Sequence, residues 1–258
     1  VNATWDDASE RISSMNGEKG HLNESVMEQI LSSYSPHERE MRKNGRPSLG
    51  SGLIFPLSEE KIMIDPMHLE DHWPRIAAID FGWDHPTAVV WCAIDREEEM
   101  FYIYDCYRAS KASPAVHSEV IRGRPHFIPI VYPHDGNRRD SMGNPGLADQ
   151  YRNLGCNFLL EHFTNPPALG NNKGSNSVEE GIMALLQAME GGKFKVFSTL
   201  GDWFEEFRMY HRKQNKVVPF RDDLMSATRY AFQSQRHSVA GKDPTWTQDV
   251  EYRNYGII

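Results

Sequence analysis

The chain has 258 residues, a formal net charge of −8, 39% hydrophobic residues and 25% charged ones. That length suits one sizeable core, or one core with a small added module. The negative balance excludes a broadly basic coat for nucleic acid, but leaves room for a local basic track or a carboxylate cluster neutralised by metal.

Three cysteines, Cys92, Cys106 and Cys156, lack the paired spacing of a zinc site and leave one over in any disulfide scheme, which predicts a reducing cytoplasm. No signal peptide and no apolar run of membrane-spanning length is visible, so no membrane partner is expected. Residues 1–74 are polar and irregular, and open at Val1 as a piece of a longer polypeptide would. They read as a linker that packs on a neighbouring domain. Within them, Val26, Ile30 and Leu31 at helical spacing, with Asn23 as cap, predict a helix over 23–34. Ser35-Pro36 and Gly45 bracket a second short helix over 35–45, and 49–57 leads into a short strand.

From residue 75 the elements follow quickly. Strands are expected over 75–81, 87–94 and 100–107, the last two joined through Asp95–Glu99 as a hairpin. A helix near 113–122, a strand over 127–133, a helix over 146–155 ended by Gly155 and a strand over 157–163 come next. Then follow a helix over 177–190 with Ser177 and Glu180 in a capping-box pattern, a strand over 193–197 and helices over 201–214 and 222–235. Residues 236–258 read as a polar, loose tail. A hairpin followed by strand–helix alternation implies an α/β fold, a mixed sheet flanked by helices.

In such sheets ligands gather where strands end. Asp80 closes the first strand, Asp135 follows the fourth, and Asp222 and Asp223 open the last helix. Clustered carboxylates repel unless a cation sits among them, and two divalent ions need several carboxylates from different elements, so this pattern points to magnesium or manganese. Taken singly, each acid has a plainer reading: a strand-end Asp is a turn residue, and Asp222 is a helix N-cap. Asp84 reads as a solvated loop acid, Asp95 and Asp105 as polar hairpin positions, and Trp83, Trp91, Trp203 and Phe204 as packing residues. Asp80-Phe81-Gly82 spells a protein-kinase tripeptide, but the glycine-rich and catalytic loops are missing. No GxxxxGK[ST] occurs, so ATP hydrolysis by this chain is not expected.

The segments "AAIDFGWDHPTAVVW", "PHDGNRRD", "GKFKVF", "WFEEFRMYHR" and "DDLMSATRYA", in this order and spacing, resemble the C-terminal RNase H-like nuclease domain of tailed-phage terminase large subunits. The likeness covers 75–235. Upstream, "VNATWDD" and "PHEREMRKNGRPSLGSGLIFP" resemble the end of the ATPase domain and its linker, so 1–74 is expected to be linker and 236–258 tail. The resemblance implies a DNA endonuclease that cuts concatemeric viral DNA during packaging with two Mg2+ or Mn2+ ions. It implies Asp80 bridging both ions, Asp135 on one, and a carboxylate from Asp222 or Asp223 completing the set, Asp223 being favoured because it lies one turn before Ala227. Relatives often carry a further acid where this chain has Ser226, which places Ser226 beside the ligands. His134 and His85 flank ligand positions and are expected to orient them.

DNA contacts are expected from Arg138, Arg139 and Lys173, then from Lys193 and Lys195, with Arg208, Arg212 and Lys213 as further candidates. The implied partners are double-stranded DNA, the ATPase domain, the portal and the small terminase subunit, in the host cytoplasm. Competing readings are another RNase H-like nuclease, of Holliday-junction resolvase or integrase type, and a non-catalytic DNA-docking module. An actin-like ATPase half would share the "IDFG" opening, but needs a second half and a phosphate loop that are not present.

Overall fold

Strand and helix follow one another much as the apolar periodicity demands. The computed structural model describes residues 24–32, 52–137, 145–167, 174–214 and 216–241. In chain order these hold α1 (Glu24–Ser32), α2 (Glu59–Ile62), β1 (Met63–Ile64), β2 (Pro74–Asp80), β3 (Thr87–Asp95) and β4 (Met100–Ala109). Next come α3 (Pro114–Arg122), β5 (Ile130–Val131), a 3-10 turn (His134–Asn137), α4 (Leu147–Asn153), α5 (Val178–Glu190) and β6 (Phe194–Phe197). The series ends with α6 (Gly201–Met209), the small β7–β8 hairpin (Arg212–Lys213, Lys216–Val217), α7 (Asp223–Gln233) and β9 (Val239–Ala240). The helix expected over 35–45 lies outside the described residues.

One mixed sheet runs in the order β1-β6-β4-β3-β2-β5, with β9 also on β2. β2, β3 and β4 pair antiparallel, while β5 runs parallel to β2, and β6 parallel to β4 and β1. β3 is buried along its whole length, as a central strand covered on both faces should be. Side-chain alternation divides β2 between two cores. Ile76 and Ala78 face α5, α6 and α7, with Leu185, Trp203 and Leu224. Ala77 and Ile79 face α3 and α4, with Ile121, Tyr151 and Phe158.

Three strands fall short of expectation, each for a physical reason. The run over 127–133 shrinks to Ile130–Val131 because Pro129 and Pro133 supply no N–H to a ladder. Over 157–163 only the bridge Phe158–Ile130 forms; the Arg152 guanidinium donates to the carbonyls of Leu159 and Leu160, which a strand neighbour would otherwise use. The run over 49–57 contributes one bridge, Leu53 to His211. The helix over 201–214 stops at Met209, since Tyr210 turns extended, is buried, and its carbonyl accepts from the Ile54 N–H at 3.1 Å.

Packing ignores the composition change near residue 75. Ile54, Phe55 and Ile62 sit in the larger core, and β1 extends the sheet beyond β6. Val239–Ala240, at the head of the expected loose tail, pairs with Pro74–Arg75. The Ser177 hydroxyl accepts from the Glu180 N–H as a capping box requires, but the Glu180 carboxylate turns to Asn165 and Ser175.

Two helices are joined through their buried faces where the Trp203 indole N–H on α6 donates to Thr228 Oγ1 on α7 at 2.9 Å. Thr228→Val leaves that buried donor unpaired and is expected to cost about 1–3 kcal/mol, read as a lower urea midpoint with unchanged slope.

Candidate active site

Three elements deliver acids to one end of the sheet. β2 ends on Asp80, opposite Ala88 at the start of β3. Asp80 keeps the parity of Ile76 and Ala78, so it belongs to the face covered by α7. The turn that follows is closed by Thr87: its hydroxyl accepts from the Gly82 N–H at 3.1 Å and donates to the Gly82 carbonyl at 2.8 Å. A Cβ at Gly82 would stand 2.6 Å from the Pro86 carbonyl oxygen, so only glycine fits.

Because β5 is parallel to β2, its C-terminal end lies at the same edge. Pro133 ends the strand, and the 3-10 turn carries His134 and Asp135. Gly136 anchors that turn: a Cβ there would meet Phe81 at 2.6 Å and Tyr132 at 2.7 Å. On the covered face, α7 begins with Asp222 as its N-cap residue and Asp223 as its first helical residue. The Asp222 side chain makes no capping bond, so its carboxylate is not spent on the helix.

The electrostatics record the convergence. The Asp80 carboxyl is pushed up to about 8, first by burial, then by repulsion from Asp223, Asp135 and Asp222, with Arg229 opposing. Asp222 is raised by burial and by Asp223, and Asp223 by burial; His85 tempers both. Asp223 Oδ2 is buried without a hydrogen-bond partner. Among the described residues, no three His, Cys, Asp or Glu side chains stand ready to hold one ion, so the acids are neighbours rather than a preformed coordination shell. The donor set still fits a hard divalent cation: it is all carboxylate oxygen, it includes an orphaned buried oxygen, and its mutual repulsion is what a cation would relieve.

The other expected residues divide by place. His85 reaches the acidic pair, as its effect on both shows. His134 is exposed beside Asp135, its ring 6.4 Å from that of His162. Ser226 donates its backbone N–H to the Asp222 carbonyl, the first bond of α7. Arg138, Arg139 and Lys173 lie outside the described residues. Lys193 and Lys195 are not brought to the acids. Their ammonium groups donate to the carbonyls of Glu98 and Lys61, at 2.7 and 2.8 Å. Glu98 lies in the β3–β4 turn, at the sheet end opposite Asp80. Arg208 is taken up by Glu59 and Arg212 by Glu179, while Lys213 is exposed on the small hairpin. Trp83 is 59% exposed, against the packing role expected of it, because it sits at the tip of the turn after Asp80; Trp91, Trp203 and Phe204 are buried as expected.

Sequence reasoning missed Arg229. It is buried on α7 and lowers Asp80, with its guanidinium 4.7 Å from the Tyr230 ring centre. Its stem crosses α5 at Gly181, where a Cβ would come within 2.5 Å of Arg229 Cδ. Sequence reasoning also passed over Glu206 on α6, which is fully buried and pushed up to about 7, chiefly by burial and partly by Asp223. The only sequence signal for either was a charge inside an otherwise apolar helix face.

A model of the terminase RNaseH-like domain family matches residues 77–235. The terminase large subunit of Salmonella phage P22 is 38% identical over 224 residues, covering 86% of this chain and 44% of its own length. That of Enterobacteria phage LP7 is 39% identical over 213 residues, with 82% and 44% covered. The chain therefore spans less than half the length of these curated relatives. The structure of the P22 large terminase nuclease domain superposes with a TM-score of 0.67 at 37% identity, over 74% of this chain and 96% of that one. The large terminase of thermophilic bacteriophage D6E shares the fold, with a TM-score of 0.55 at 15% identity, over 83% and 52%.

Asp80 holds its proton in the folded state up to about pH 8, against 3.8 for an ordinary aspartate. Its contribution to stability is full below about pH 4 and is lost as pH rises through 8. In chelator, Asp80→Asn is expected to flatten this pH dependence and to raise Tm near pH 8 by about 3 °C, measured by thermal melts across pH 5–9.

Proposed function

We propose that this chain, which belongs to the terminase RNaseH-like domain family, is a metal-dependent endodeoxyribonuclease. It would cut concatemeric viral DNA during genome packaging, with little sequence preference. The observation that carries the reading is the convergence of Asp80, Asp135, Asp222 and Asp223 at one sheet edge, where their repulsion adds to burial in raising the Asp80 carboxyl. Of the relatives reported above, the P22 domain is described as a nuclease domain, and the match spans nearly all of it.

On this reading Asp80, Asp135 and the Asp222–Asp223 pair hold two Mg2+ or Mn2+ ions. Bound divalent ions supply Lewis acidity, which activates water and neutralises charge on the leaving 3′-oxygen. Asp80 must release its proton to act as a ligand, so a cation would compete with H+ for its carboxylate. Arg229 remains behind Asp80 as a fixed counter-charge, and His85 stands beside the acidic pair. Arg138, Arg139 and Lys173 are the proposed backbone contacts; such contacts read no bases, which accounts for sequence-independent cutting. Lys193 and Lys195 would meet only a duplex that extends across the domain. The proposed partners are double-stranded DNA, an ATPase domain, the portal and the small terminase subunit, within the host cytoplasm.

Plasmid nicking tests the reading. The protein is expected to nick supercoiled DNA with Mn2+ and to stop with chelator, and Asp80→Asn should lose more than about a hundredfold in rate. Cutting that persists in chelator, or in the Asp80 variant, would refute it. A strong preference for branched over linear duplex would favour the resolvase reading instead. At low fixed Mn2+, nicking should rise with pH up to about 8, as Asp80 becomes free to bind.

A further inference from the structure

The acidic pair at the head of α7 is held from both sides by another acidic pair. Glu205 and Glu206 are consecutive on α6, and they grip the residues that flank Asp222 and Asp223. Glu206 Oε2 accepts from the Leu224 N–H at 2.6 Å. Glu205 pairs with the Arg221 guanidinium. Arg108, on β4, ties the two glutamates together: its Nη1 donates to Glu206 at 3.0 Å, and its Nη2 to Glu205 at 2.5 Å and to Asp202 at 3.0 Å.

Each contact does work that the local chain leaves undone. A helix N-terminus presents free N–H groups, and an N-cap side chain normally satisfies the second or third. Asp222 occupies the N-cap position but makes no such bond, and Glu206 serves the N–H of Leu224 in its place. Just before the pair, Arg221 has φ 51°, a left-handed conformation that an arginine does not adopt without support. The Glu205 contact ties its side chain to α6. Glu206 is fully buried, so its geometry cannot drift with solvent.

We propose that Glu205 and Glu206, braced by Arg108, are positioning residues: they set the height and direction of the Asp222–Asp223 carboxylates relative to Asp80, and by doing so set metal affinity. The inference rests on the metal-dependent nuclease reading and adds to it two residues that would touch neither ion nor DNA. Glu206 takes the capping role from Asp222, whose side chain makes no capping bond, and Asp223 Oδ2 is left unpartnered for a ligand. Four neighbouring acids would repel one another, and the three-way contact of Arg108 offsets that cost at its outer side.

The test compares Mn2+ midpoints, read both from nicking and from the Mn2+-induced rise in Tm. Glu206→Gln can satisfy Leu224 or Arg108 but not both. It is expected to raise the midpoint about tenfold, the usual scale for losing a partner behind a metal ligand, while cutting at saturating Mn2+ stays within a few-fold of wild type. Arg221→Gln breaks the half-exposed Glu205 contact with little risk to folding, and should shift the midpoint the same way by about threefold. Thr228→Val loosens the same two helices without touching the bracket and should leave the midpoint unchanged. Wild-type midpoints in both Glu206→Gln and Arg221→Gln, or an equal shift in Thr228→Val, would overturn the positioning role. If the wild type itself showed no Mn2+ response, the nuclease reading would fall and this inference with it.

Discussion

Like charges held close together at one end of a sheet govern this structure. Four aspartates drawn from β2, the turn after β5 and the head of α7 share that end, and water is partly excluded from it. Burial, and then their mutual repulsion, leaves a proton on Asp80 at neutral pH, and Asp223 Oδ2 is buried without a hydrogen-bond partner. A divalent cation bound among them would relieve that repulsion. The surroundings temper the cost without removing it. Arg229 stands behind Asp80, His85 faces the pair, and Arg108 gathers the outer glutamates.

The fold makes this possible by a division of faces. β2 and β3 are buried on both sides, so the sheet edge is rigid and the parity of β2 decides where Asp80 points. One face carries α3 and α4, the other α5, α6 and α7. Three glycines near the site leave no room for a side chain. Gly82 lets the turn after Asp80 close, Gly136 seats the Asp135 turn on Phe81, and Gly181 lets the Arg229 stem pass. Each glycine thus fixes the position of a charged neighbour.

Much of this was legible from residue order. The three long strands, the helices near 114–122, 147–153 and 178–190, and the acids at element ends follow from apolar periodicity and turn chemistry. Short strands were less so: β5 is two residues between prolines, and the segment after α4 loses its acceptors to the Arg152 guanidinium on that helix. Trp83 looked like core because tryptophan usually is, yet its place at a turn tip leaves it in solvent. Lys193 and Lys195 carry the right charge for DNA but sit at the far end of the sheet, which no local pattern reveals.

What the sequence determined by itself was the inventory: a mixed sheet with helices, acids at Asp80, Asp135, Asp222 and Asp223, and a likeness to one nuclease family. These depend on local periodicity and on residue type, which a linear chain displays. Tertiary structure alone decided which charges meet. The pairing of β5 parallel to β2 brings residues 55 apart to one edge, and the packing of α6 against α7 sets Glu206 on the Leu224 N–H. Those partners lie far apart along the chain, and electrostatic energy depends on separation in space, so their roles emerge only once the helices have closed over the sheet.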